Sequence, residues 1–122
     1  MATLLGACGG SQSSGGSSGT GTCTPGSTAS FSIMSTGVTP KNVCVLPGGT
    51  VTFKNNDTAQ HDIESGTTCT QLNLGVIAAG GSATATFPTA EVCPFHDQLN
   101  PTSTAFQGTV YVTTAPAPGP GY

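Results

Sequence analysis

In Thr50-Val51-Thr52-Phe53-Lys54 the apolar residues alternate with polar ones, which is the two-residue period of a strand with one face in a core. That period recurs along the chain. Phe31-Ser32-Ile33-Met34 and Val43-Cys44-Val45 read as earlier strands, the second ending at the turn signal Pro47-Gly48-Gly49. After the turn Asn55-Asn56-Asp57, the segment His61-Asp62-Ile63-Glu64 alternates again. Gly80-Gly81 leads into Ala83-Thr84-Ala85-Thr86-Phe87, then Glu91-Val92-Cys93, and finally Gln107 to Thr113. About seven to eight short strands separated by frequent turn signals specify an all-β chain, with a β-sandwich as the expected architecture. No helix with capping signals is visible, and residues 66–75 read as an irregular turn.

Much of the 122-residue chain cannot enter a core. Residues 9–22 are a Gly/Ser tract with the composition of a flexible tether. Residues 1–26 are therefore read as an N-terminal segment and linker, 27–114 as the folding unit, and 115–122 as a Pro/Gly tail unable to form ladders. A unit of that size buries only about 60–65% of its unfolded surface, so disulfides or a metal are expected to help stabilise it. Two lysines against five carboxylates give a net charge of −3 with no basic stripe. Nucleic-acid binding then has no electrostatic footing. No run has the length of a membrane-spanning helix.

The chemistry lies in few residues. Cys93-Pro94-Phe95-His96 stands ahead of the strand-like run Gly108–Val112, and the chain's other histidine, His61, follows the run Val51–Asn56. One thiolate and two imidazoles are the ligand set of a trigonal His2Cys copper site. Taken singly, each has an ordinary explanation. His61 suits a hydrogen-bonded core or surface histidine, Cys93 a structural disulfide, and His96 an exposed loop residue.

Two segments together resemble the cupredoxins, the plastocyanin/azurin group of blue copper proteins. Leu46–Asp57 followed by His61 looks like that family's strand, turn and first histidine. Cys93–His96 with Gln107–Val112 looks like its ligand loop and closing strand. The resemblance covers most of residues 38–113 and implies a Greek-key sandwich holding one copper ion through His61, Cys93 and His96. It also implies cycling between Cu(I) and Cu(II), with redox proteins as partners. The chain departs from the family at the weak axial methionine, whose place Phe106 takes; the loop from His96 to Phe106 is also long. Met34 is a poor substitute; without an axial thioether copper would be closer to three-coordinate, with an oxygen of Asp97, Gln107 or Gln60 as the alternative axial donor.

Leu5-Gly6-Ala7-Cys8 resembles a bacterial lipobox, which implies an exported, periplasmic or cell-surface protein tethered through lipidated Cys8. Met1-Ala2-Thr3 departs from that pattern, since it lacks Lys or Arg and the apolar run is short. With Cys8 lipidated, four cysteines remain, and reserving Cys93 for copper leaves one unpaired. The expected bridge is Cys23–Cys44, with Cys69 near the site but unassigned. Cys44–Cys69 is an alternative. Cys69–Cys93 would remove the thiolate, and a His61, Cys69, Cys93, His96 set would suit tetrahedral zinc.

Three functions follow. The leading one is a one-electron carrier with a mostly apolar docking patch around Pro94-Phe95. The second is a copper storage or delivery protein with the same ligands. The third is a metal-free, disulfide-bonded surface or assembly module. An enzyme is not expected, because two histidines cannot supply both a carrier site and a catalytic copper centre. Asp62, Glu64 and Asp97 read as solvated charges on loops.

Overall fold

The computed structural model describes residues 22–118 as ten strands and two short 3-10 turns, with no α-helix among them. The lipobox, Cys8 and most of the Gly/Ser tract lie outside the described residues. The strands are β1 (Thr22–Cys23), β2 (Gly26–Met34), β3 (Gly37–Thr39), β4 (Asn42–Asn55), β5 (His61–Glu64), β6 (Gly75–Ile77), β7 (Ser82–Phe87), β8 (Glu91–Asp97), β9 (Gly108–Val112) and β10 (Ala117–Pro118).

One long strand organises the sandwich. The Pro47-Gly48-Gly49 segment bends β4 instead of ending it, and Gly48 supplies the positive φ (90°) the bend requires. Before the bend, Asn42–Val45 runs parallel to β9; beyond it, Gly49–Lys54 pairs antiparallel with β7, while β2 runs parallel to β4. From β9 the ladder continues through β8 and β5 to β6, and β3 closes the other edge beside β2. Single strands thus serve two faces, the device by which sandwiches turn corners.

The inward residues meet across the middle. Phe31 of β2 stacks on Phe53 of β4 at 4.9 Å, and both rings take Phe95 of β8 edge-on, at 4.8 and 5.0 Å. Val45, Val51, Ile63, Leu72, Phe87 and Val110 complete this core without solvent exposure. At Gly108 the packing leaves no room for a side chain. A Cβ there would lie 2.5 Å from the Lys41 carbonyl and 2.7 Å from the Phe95 ring.

Two details differ from the sequence reading. The folding unit extends beyond 27–114, because Thr22–Cys23 pairs with Ala117–Pro118 in a two-stranded ribbon. Proline is tolerated in edge strands, and the Cys23–Cys44 disulfide fastens the ribbon to β4. The second difference is β8, which does not stop at Cys93 but continues to Asp97. This extension decides the site.

Candidate metal centre

Along β8 the burial alternates: Cys93, Phe95 and Asp97 are buried, whereas Pro94 is exposed and His96 half-exposed. A continuous strand points residues three apart to opposite faces. Cys93 and His96 therefore face away from each other. Cys93 is bonded to Cys69, which stands just before the 3-10 turn Thr70–Leu72. His96 lies outward, with its Nε2 2.5 Å from the Gln98 Oε1. Its cross-strand partner is Glu64, whose carboxyl is raised above its ordinary value by a hydrogen bond with Asp62.

His61 points the other way. It opens β5, is buried with only 2% exposure, and packs its ring on Phe106 at 4.9 Å. The residue that meets it is Asp97: Nδ1 lies 2.5 Å from Asp97 Oδ2, and Nε2 lies 2.8 Å from Asp57 Oδ2. Asp97 has no solvent exposure and accepts four hydrogen bonds. Besides His61 the donors are the Asp62 N–H at 2.9 Å, the Leu99 N–H at 3.0 Å and the Asn100 side-chain amide at 2.8 Å. Asp57 is held by the loop that Asn55 builds. The Asn55 amide, fully buried, donates to the carbonyls of Ala59, Ile77 and Ala78, and its oxygen accepts from the Asp57 N–H.

The electrostatics follow from this geometry. Burial opposes charge on His61, but hydrogen bonds to Asp97 and Asp57 outweigh it and raise the pKa above 6.5. Burial likewise opposes charge on Asp97, and the donors from Asp62, His61, Asn100 and Leu99 outweigh it, leaving the carboxyl below 3.8. The hydrogen bond with His61 is the main cause of the lowered Asp57 pKa. With a carboxylate oxygen at each ring nitrogen, the surroundings of His61 favour its charged form.

The expected ligands His61, Cys93 and His96 are thus not brought together, and the donor set does not fit a trigonal copper site. Cys93 offers no thiolate while bonded to Cys69, both His61 nitrogens face carboxylates, and His96 is on the opposite face. Cys93 is also four residues from Asp97, about 13 Å along the strand. Two expectations do converge at one end of the sandwich: His61 and Phe106, assigned by resemblance to the first-histidine and axial places, touch each other. Between the strands beside them stands Asp97, with Asn100 bonded to it. Asp97, expected as a solvated loop charge, is wholly internal because its carboxylate faces inward at the end of β8. Pro94 and Phe95, expected in a docking patch, line a groove of about 370 Å3 with His96, although the Phe95 ring itself belongs to the core. Of the bridges expected, Cys23–Cys44 is present, and Cys69, left unassigned, pairs with Cys93. The cue for Asp97 was the alternation Cys93, Phe95, Asp97, with Phe106-Gln107-Gly108 following.

No protein-family model matches the chain, and no curated protein matches it. Solved structures do. A purple cupredoxin from Nitrosopumilus maritimus is 23% identical with a TM-score of 0.60, the match covering 70% of this chain and 99% of that one. The Cu(I) form of an amicyanin point variant is 20% identical with a TM-score of 0.61, covering 72% and 84%. The reduced Cu(I) form of another amicyanin variant at pH 4 is 20% identical, with a TM-score of 0.59 and coverage of 69% and 80%. The fold is cupredoxin-like.

Proposed function

We propose that this domain is a cupredoxin-like sandwich acting as a disulfide-braced, metal-free surface or assembly module. The observation that carries the reading is Asp97, hydrogen-bonded to His61 at the end of the sandwich where the resemblance expects a thiolate. A cluster in which both His61 ring nitrogens are taken up by carboxylates holds strands together without offering an imidazole lone pair to a metal. Two disulfides favour an oxidising compartment, which supports export. Tethering through Cys8 remains part of the proposal on the strength of the lipobox-like Leu5–Cys8 and the Gly/Ser tract.

The fold of the copper-containing neighbours supports a second reading, a one-electron carrier binding copper through His61, Cys93 and His96 and docking to redox proteins. It requires the Cys69–Cys93 bond to open and β8 to rearrange beyond Cys93. Copper titration of the chain as isolated and after dithiol reduction of Cys69–Cys93 separates the two, read by visible absorption. The module reading expects no intense thiolate-to-copper band. A strong band that disappears in Cys93→Ser would establish the carrier instead.

A further inference from the structure

Glu91 is a carboxylate in an unusual place. It lies two residues before Cys93, so the strand period puts both on one face of β8. A carboxylate oxygen of Glu91 and the sulfurs of Cys69 and Cys93 all lie within 4.8 Å of one another. Gln71, from the 3-10 turn after Cys69, donates to Glu91 Oε2 at 2.5 Å and fixes it there. Among the described residues no cation balances its charge. Lys41 is committed to the carbonyls of Thr104, Ala105 and Gln107, and Lys54 to that of Gly80. Among the described residues, the ion pairs are those of His61.

From this we infer that the Cys69–Cys93 pair is the oxidised, closed form of a metal site, and that reduction opens it to a thiophilic divalent ion of the zinc type. The three donors come from two elements and already lie within 4.8 Å of one another, the Cα atoms of the cysteines being 5.7 Å apart. A dithiol reductant supplies the two electrons and two protons. The protein S–S bond breaks into two thiols while the reductant's own thiols close to a disulfide. The ion then displaces the two thiol protons and binds two thiolates and the Glu91 carboxylate, with water as the fourth ligand of a tetrahedron. The carboxylate favours a divalent ion over Cu(I), which prefers sulfur alone. The sulfurs are buried and Glu91 is half-exposed, so the ion enters past the carboxylate. Gln71 is a positioning residue, its amide orienting the ligand as outer partners do. This site is at the opposite end of β8 from the Asp97 cluster and does not depend on it.

The test is Zn2+ titration of the full chain with Cys8, Cys23 and Cys44 replaced by Ser, oxidised and after dithiol reduction, followed by circular dichroism. The reduced form is expected to bind one Zn2+ per chain and the oxidised form none. Glu91→Gln is expected to weaken the reduced form's affinity by about 10-fold or more. As a second readout on the natural cysteines, Co2+ added to the reduced chain is expected to give a thiolate charge-transfer band that Cys93→Ser diminishes. Zinc affinity equal in both redox forms, or unchanged by Glu91→Gln, overturns the inference. So does a reduced chain that unfolds and is not refolded by Zn2+. A copper band in the oxidised natural chain bears on the proposed function and leaves this result readable by itself.

Discussion

Asp97 decides what this sandwich can do, because a fully buried carboxylate must be matched group for group. Here the matching is complete: two N–H groups and one amide join the imidazolium on its oxygens. Asp97→Ala leaves a buried imidazolium with one partner fewer and is expected to cost about 3–5 kcal/mol, measured by urea unfolding; a loss under about 1 kcal/mol, the ordinary effect of a surface charge, contradicts the assignment. The pH dependence has two limbs. The raised pKa of His61 contributes stability that is full below 6.5 and is lost as pH rises through the folded value. The lowered values of Asp57 and Asp97 contribute stability present above 3.8 and lost as pH falls through theirs. Unfolding midpoints measured against pH should therefore peak between about 4 and 6.5, and a stability still rising above pH 7 would contradict a charged His61. This cluster was only half legible in the sequence. His61 and Phe106 could be placed by resemblance, whereas a carboxylate on the inward side of a strand reads as the end of that strand.

The length of β8 is where local reading and tertiary structure part. Pro94 inside the segment signals a break, yet it projects outward and pairs opposite Thr109 at a position where the ladder runs on to Phe95 and Gly108. The three-residue spacing from Cys93 to His96 suits a loop that curls around a metal; on a straight strand it separates the two. The strands themselves, by contrast, follow the two-residue period closely, since each has one face on the same core. The β8–β9 register is pinned by Gly108 under the Phe95 ring. Gly108→Ala forces a methyl group into the Lys41 carbonyl and that ring, and is expected to destabilise by about 1–3 kcal/mol in thermal or denaturant unfolding. Unchanged stability would mean the two strands are not so closely apposed.

For the molecule as a unit, little core and few charges leave the disulfides a large share of the stability. Cys69–Cys93 spans 24 residues and ties the β5–β6 connection to β8. Its removal in the Cys69→Ser, Cys93→Ser double variant is expected to cost about 3 kcal/mol, read as a lowered urea midpoint; an unchanged midpoint would show that the bridge does not constrain the unfolded chain. The sandwich was foreseeable because alternation and turn signals repeat along the whole sequence. The β1–β10 ribbon was not, because two-residue strands carry no period and depend on the Cys23–Cys44 bond for their place. Fold similarity to copper proteins and the chemistry of the site therefore point in different directions here, and the side chains decide. The most direct measurement is the nitrogen-15 NMR titration of the His61 ring, with and without added copper. Both ring nitrogens protonated below a pKa above 6.5, with signals that copper leaves in place, are the expected result. A neutral ring with one bare nitrogen, whose signals copper shifts or broadens away, would contradict the account.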